Sequence, residues 1–178
     1  MPRERHGASA VSGDWETYYL MVGSSSAALI GLLFVVVTLA GEVDPARADA
    51  AQSTFLTPTV LHFAIVFVIS AAAVAPQPGP SFMAAAILVP ALVGLAYAVA
   101  AVMRLALGRL AAPHWTDYIF YGVLPAACYL WLIGAAWGVW QQPTFGDPAL
   151  ALGVLVLLLL AIRDAWDLAT WLIYHKNE

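Results

Sequence analysis

Five stretches of the chain are each about twenty residues long and almost free of charge, and they restrict what it can fold into. They cover residues 19–40, 54–75, 82–103, 118–140 and 149–174. A helix crosses the roughly 30 Å hydrocarbon core of a bilayer in about 20 apolar residues. The sequence therefore predicts an all-α integral membrane bundle of five transmembrane helices, preceded by a polar leader over residues 1–18.

The composition excludes most other classes of protein. Of the 178 residues, 62% are hydrophobic and 10% are charged, whereas soluble domains have about 45–50% and about 25%. Cys128 is the only cysteine, so a disulfide scaffold is excluded. The net charge of −4 argues against a nucleic-acid partner, because phosphate binding needs clustered Lys and Arg.

The connections between the five stretches are short, which predicts a single transmembrane domain over residues 1–178. Residues 76–80 (PQPGP) form a stiff turn, and residues 141–148 join the last two helices. The second helix has two candidate starts, at Asp44-Pro45 or at Thr57-Pro58, because each places a capping side chain before a proline.

The positions of Lys and Arg indicate the orientation. In a five-span arrangement the side of the N-terminus holds only Arg3 and Arg5. The opposite side holds more basic residues, namely Arg47, Arg104, Arg109 and Lys176. Cytoplasmic loops carry the excess of basic residues. We therefore expect the N-terminus outside and the C-terminus in the cytoplasm.

Small residues in the first stretch have two interpretations. Ser24, Ala28 and Gly31 share one helical face, which suits close helix packing in a membrane. The serines Ser24, Ser25 and Ser26 can bond the carbonyl one turn back, or they can line a polar path for a solute. We favour packing. Together with similar small residues in the third and fourth stretches, this face predicts a homo-oligomer or a subunit of a larger membrane complex.

The fifth stretch contains the charges that are hardest to place in a bilayer. Arg163 and Asp167 are four residues apart and can pair along one helix, with Thr170 next on the same face. Asp164 points about 100° away and can share the guanidinium. His62 in the second stretch lies at a depth comparable to that of Arg163, so a His–Asp–Arg contact between the second and fifth stretches is possible. Charged groups inside a membrane are usually paired or functional.

Enzyme signatures are missing from the sequence, which contains no zinc, hydrolase, Walker or dinucleotide-binding motif. We therefore expect no enzyme, no cofactor and no metal. Two functions stay open. The first is a non-catalytic membrane scaffold or regulatory subunit. The second is an oligomeric channel or proton-coupled transporter that uses the level of His62, Arg163, Asp164 and Asp167.

Two segments carry a resemblance. Residues 22–35 (VGSSSAALIGLLFV) form a first helix rich in small residues, and residues 162–168 (IRDAWDL) combine an arginine with an Ala-Trp-Asp unit. In these features the chain resembles a group of small bacterial multispanning inner-membrane proteins without assigned activity. The resemblance implies a bacterial inner-membrane location and supplies no mechanism.

Overall fold

The computed structural model describes residues 13–39, 57–76, 79–106, 119–141 and 143–175, which are helical almost throughout. The helices are α1 (Gly13–Leu39), α2 (Thr57–Val74), α3 (Pro80–Ala106), α4 (Leu124–Gln141) and α5 (Pro143–His175). A π-helical turn, Ile119–Val123, directly precedes α4. The described residues contain no strand, so the all-α prediction is confirmed for them.

Three of the helices are long and apolar enough to cross a membrane. The qualifying segments are Trp15–Thr38, Pro80–Met103 and Pro148–Thr170. The apolar part of α2, Pro58–Val74, is shorter. These helices suggest a membrane protein, while the count of five spans stays a prediction.

Two helix boundaries differ from the prediction. Helix α1 begins at Gly13, so the last third of the predicted polar leader is helical. Helix α5 begins at Pro143, so most of the predicted connection 141–148 is helical as well. Pro143 suits this start because the first residue of a helix needs no backbone N–H donor. The second helix is described from Thr57 onward, and the rival start at Asp44 lies outside the described residues.

The second and fifth helices occupy the centre of the bundle, since each packs against three other helices. Half of its apolar segment is buried, compared with 22% for the corresponding segments of α1 and α3. Helix α5 contacts α1, α2 and α4, whereas α3 packs against α4 and α2. The central position of α5 follows from its sequence, since Leu150, Val154, Leu157 and Ala161 recur at helical spacing and are buried.

Neighbouring helices run in opposite directions. Between α1 and α2, Gly23 lies against Ser70 and Ser26 bonds to Phe63, so residue numbers rise in one helix as they fall in the other. The same holds between α3 and α4, and between α4 and α5. Helix α1 is parallel to α5, because Tyr18 near the start of α1 bonds to Ala151 near the start of α5.

Glycine marks a close approach in three of these helix pairs. A Cβ on Gly23 would lie 2.9 Å from the Cβ of Ser70, between α1 and α2. A Cβ on Gly94 would overlap the ring of Tyr129, between α3 and α4. A Cβ on Gly153 would lie 2.7 Å from a methyl group of Leu132, between α5 and α4. Small residues allow close backbone approach, the main source of helix association in lipid.

The predicted small-residue face of α1 makes no packing contact inside this bundle. Ser24, Ala28 and Gly31 are exposed, and a Cβ on Gly31 would meet nothing within 4 Å. The face that packs instead contains Val22, Gly23 and Ser26, about half a turn away on the opposite side of the helix. Any packing of the first face therefore involves residues beyond those that the structure describes, or another chain.

The turn before α4 is π-helical, and a proline in the sequence explains its wider form. Pro125 lacks the N–H that would bond the carbonyl four residues earlier, and its ring would collide with that carbonyl. The preceding residues Ile119–Val123 adopt the wider π-helical form, in which bonds skip one more residue. This turn brings Phe120 next to α5.

Candidate functional site

The structure brings together four of the residues that the sequence analysis singled out, here named the polar cluster: His62, Arg163, Asp164 and Asp167. The Nδ1 atom of His62 lies 3.5 Å from Oδ2 of Asp164. One guanidinium nitrogen of Arg163 lies 3.3 Å from Oδ2 of Asp167, and the other lies 3.8 Å from Oδ1 of Asp164. A chain of charged and titratable groups therefore links α2 to α5.

The polar cluster has a buried end and a partly exposed end. The side chain of Asp164 is 1% exposed, and that of His62 is buried with it. Arg163 is 38% exposed and Asp167 is 32% exposed. Helical spacing explains this difference, because residues 163 and 167 share a face while residue 164 points about 100° away into the bundle.

Arg163 also fixes the start of α4. Its guanidinium carbon lies 3.7 Å from the centroid of the Phe120 ring, within the π-helical turn. A guanidinium over an aromatic face is attracted by the ring quadrupole, by about 0.5–1 kcal/mol at exposed sites. Arg163 thus contacts two carboxylates on its own helix and an aromatic ring on the next one.

Tyr129 is a neighbour of the polar cluster that the sequence analysis did not identify. Its ring centroid lies 5.8 Å from that of His62, and its side chain is fully buried. Within the described part of the chain, its hydroxyl has no hydrogen-bond partner. The absence of a side chain on Gly94 leaves room for this ring. In the sequence Tyr129 resembles any aromatic residue of an apolar helix. Only its helical spacing, four residues from Pro125 and three residues from Leu132, could suggest that it points inward with these buried residues.

The structure does not bring Thr170 into the polar cluster. Its hydroxyl donates to the backbone carbonyls of Trp166 and Asp167, at 3.0 Å and 2.9 Å. Bonding of this kind to the preceding turn is common for threonine within helices.

The three serines of α1 behave in two ways. Ser24 and Ser25 donate to the carbonyls of Leu20 and Met21 one turn back in α1, at 2.6 Å and 2.8 Å. Ser26 is buried and donates to the carbonyl of Phe63 in α2, at 2.7 Å. Ser26 therefore joins two helices, and the hydroxyls of Ser24 and Ser25 are satisfied within their own helix.

Side-chain donors from two other helices bond to backbone carbonyls in the first half of α5. Tyr18 donates to Ala151 at 2.7 Å and Trp131 donates to Ala149 at 2.8 Å. The thiol of Cys128 donates to the carbonyl of Gly153 at 3.4 Å. These bonds hold α1 and α4 against α5, and they give the single cysteine a packing and bonding role.

Metal binding has no evident place in the part of the chain that the structure describes. No group of three His, Cys, Asp or Glu residues lies close enough there to hold a metal ion. The groups of the polar cluster are able to form ion pairs and to bind or release protons.

Comparisons with known proteins give no match. No family model, no curated protein and no solved structure is significantly similar to this chain. The resemblance to small bacterial inner-membrane proteins stays a prediction, and functional inference depends on the geometry of the site.

Proposed function

We propose that this protein is a non-catalytic scaffold or regulatory subunit of a bacterial inner membrane, in which the polar cluster fastens α5 to its neighbours. One observation carries this proposal. The charges that α5 brings into its apolar segment are met by each other and by His62 of α2.

The energetics favour this structural role. A single charge at the centre of a membrane helix costs about 2.5–3.5 kcal/mol on insertion scales. Pairing Arg163 with Asp164 and Asp167 reduces that cost, and the contact with His62 directs the buried end of the cluster toward α2. A helix fastened in this way has a defined rotation and depth, which a docking subunit requires.

Five membrane crossings, with the N-terminus outside and the C-terminus inside, are part of the proposal. Successive helices alternate in direction, as expected if each helix of the chain crosses the membrane. The five residues of Ile119–Val123 lengthen the 18 residues of α4 toward the length that a crossing needs.

Exposed aromatic residues support the same placement in a membrane. Trp137 and Trp140 are exposed at the end of α4, where their rings make an edge contact with centroids 5.3 Å apart. Trp15 and Tyr18 make a similar contact at the start of α1. The end of α4 and the start of α1 lie on the same side of the bundle, as expected for an aromatic belt at a membrane interface.

A homo-oligomer or a larger membrane complex is also proposed, because of the exposed small-residue face of α1. Ser24, Ala28 and Gly31 point away from the bundle. Chemical crosslinking in native membranes tests this, with Ala28→Leu as the variant and Val89→Leu on the exposed face of α3 as the control. Loss of a crosslinked oligomer only in Ala28→Leu supports the proposal. A monomer in both membranes and mild detergent contradicts it.

The second candidate function is an oligomeric channel or a proton-coupled transporter. It is favoured by the continuity of the polar cluster from partly exposed Arg163 and Asp167 to buried Asp164 and His62. Such a gradation of exposure is what a proton would need to reach the interior.

Proton flux into liposomes across a range of pH separates the two functions. If the protein is a scaffold, vesicles containing it leak protons no faster than vesicles containing Asp164→Asn or no protein. Flux that depends on Asp164 but not on Asp167 would overturn the scaffold proposal in favour of transport. Thermal melting in detergent verifies that each variant is folded.

A further inference from the structure

Three buried polar side chains meet where α2, α4 and α5 converge: His62, Tyr129 and Asp164, here named the buried triad. Nδ1 of His62, the hydroxyl of Tyr129 and both carboxylate oxygens of Asp164 are inaccessible to solvent and lack hydrogen-bond partners among the residues that the structure describes. Buried polar atoms normally have partners, because burying them unbonded is unfavourable. Such atoms, gathered in one place, indicate a ligand with hydrogen-bonding capacity.

We propose that the buried triad is a binding site for one proton, shared between Nδ1 of His62 and Oδ2 of Asp164, with the Tyr129 hydroxyl as the third polar group. The two atoms lie 3.5 Å apart, slightly beyond an ordinary hydrogen bond. A proton on Nδ1 makes this contact a charge-assisted bond, which closes to about 2.7–2.9 Å.

The positive charge near Asp164 is shared with a second carboxylate, so the His62–Asp164 pair can accept a further proton. From α5, the nearer nitrogen of Arg163 is 3.8 Å away, and the same guanidinium also pairs with Asp167. From α4, the thiol of Cys128 donates to Gly153. One guanidinium therefore serves two carboxylates, and a proton on the His62–Asp164 pair adds the positive charge that the buried carboxylate still lacks.

The packing on the remaining side explains why Tyr129 belongs to the site. Helix α3 presents Gly94 to the Tyr129 ring, and no side chain intervenes. The ring is therefore held close to His62, with centroids 5.8 Å apart. A phenol both donates and accepts hydrogen bonds, so it can adapt to either protonation state of the pair.

This inference deepens the proposed function, since it depends on the membrane placement of α5, but it holds for a scaffold and for a transporter alike. A proton that stays in the site stabilises the α2–α5 contact. A proton that enters the site from one side of the membrane and leaves to the other side is transported. Binding and flux are therefore measured separately.

The test is a nitrogen NMR titration of His62 in the purified full-length protein. His6, His114 and His175 are replaced by Gln, so that ¹⁵N-labelled histidine reports on His62 alone. In Asp164→Asn we expect proton binding at His62 to weaken at least tenfold, because the substitution removes the negative charge that lies 3.5 Å from Nδ1 and favours the protonated imidazole. The matched control Asp167→Asn, on the same helix but on the exposed end of the cluster, should change it by less than about threefold.

Two further measurements keep the test decisive. Tyr129→Phe should alter the titration while leaving the melting temperature close to that of the parent. If Asp164→Asn does not fold, His62→Gln is examined by infrared spectroscopy with labelled aspartate, where the pH dependence of the Asp164 carboxyl band must change. Equal titration of His62 in the parent and Asp164→Asn, or an unchanged carboxyl band in His62→Gln, overturns the inference. The flux assay decides the proposed function independently.

Discussion

At Gly94, helix α3 has room for the hydrogen atom of glycine but not for a side chain. A Cβ here would lie within the ring of Tyr129, which is fully buried and cannot swing away. We expect Gly94→Ala to destabilise the protein by about 1–3 kcal/mol, the usual cost of overpacking. Reversible unfolding in detergent measures this loss.

Gly134→Ala is the matched control, because a Cβ at Gly134 would meet nothing within 4 Å and Gly134 lies outside the exposed small-residue face of α1. It replaces the same residue type in another apolar helix and should be neutral or slightly stabilising, since alanine favours helix. Equal destabilisation by both substitutions would mean that α3 and α4 do not approach each other at Gly94.

Arg163 is the residue whose loss should affect the polar cluster most. Without it, buried Asp164 keeps only His62 as a partner, and Asp167 loses its guanidinium. We expect Arg163→Ala to lower the melting temperature more than Asp167→Ala, which leaves Arg163 beside Asp164. The effect should stay below the about 3–5 kcal/mol of fully buried pairs, because Arg163 is partly exposed. Thermal melting of both variants measures the difference.

A double substitution identifies the cause of that loss. Arg163→Leu combined with Asp164→Leu removes the buried carboxylate together with its cation, so it should be milder than Arg163→Ala alone. If the double variant melts lower than the single variant, Asp164 stabilises the fold without Arg163, through its contact with His62. If Arg163→Ala melts like the parent, the polar cluster does not fasten α5.

The sequence predicts part of this site because helical spacing is a local property. The approach of Arg163 to Asp167 follows from their separation of four residues, and the depth of His62 follows from the rise per residue. Tyr129 could not be found in this way. Its place depends on the rotation of α4 and on the space left by Gly94, which are properties of packing between helices.

At the scale of the helices, Ser26 is expected to join α1 to α2. Its hydroxyl donates to the carbonyl of Phe63 across the interface, while Ser24 and Ser25 bond within α1. Ser26→Ala should therefore destabilise the protein by about 0.6 kcal/mol, and by less than about 2 kcal/mol, the range for bonds between membrane helices. Ser24→Ala and Ser25→Ala should be neutral. Unfolding in detergent compares the three, and equal effects would contradict a bridging role.

Helix positions were predictable, whereas some helix ends were not. Apolar runs of this length determine where helices form, so the five described helices overlap the five predicted stretches. The connection between the last two helices was predicted at residues 141–148. Pro143 instead begins α5, and Pro148 lies inside it. A proline near a helix start is compatible with a loop and with the first turn of a helix, so the sequence alone does not distinguish them.

For the whole molecule, the arrangement of contacts constrains the topology beyond what charge counting offers. Helices α1 and α5 run parallel, and each helix between them runs opposite to its neighbour. If every helix crosses the membrane, the two ends of the chain lie on opposite sides. The distribution of basic residues is the reason why we propose a cytoplasmic C-terminus.

Cysteine labelling in intact cells tests this topology. Cys128 is buried and is the only cysteine, so Cys128→Ser provides an unreactive background whose hydroxyl can still donate to Gly153. In this background we expect an impermeant maleimide to label Ala8→Cys from outside. Asn177→Cys should react only after the cells are permeabilised. Labelling of both positions from the same side would mean an even number of crossings and would contradict the five-span topology. The reverse pattern would keep five crossings and place the exposed end of the polar cluster, at Arg163 and Asp167, on the outer side of the membrane.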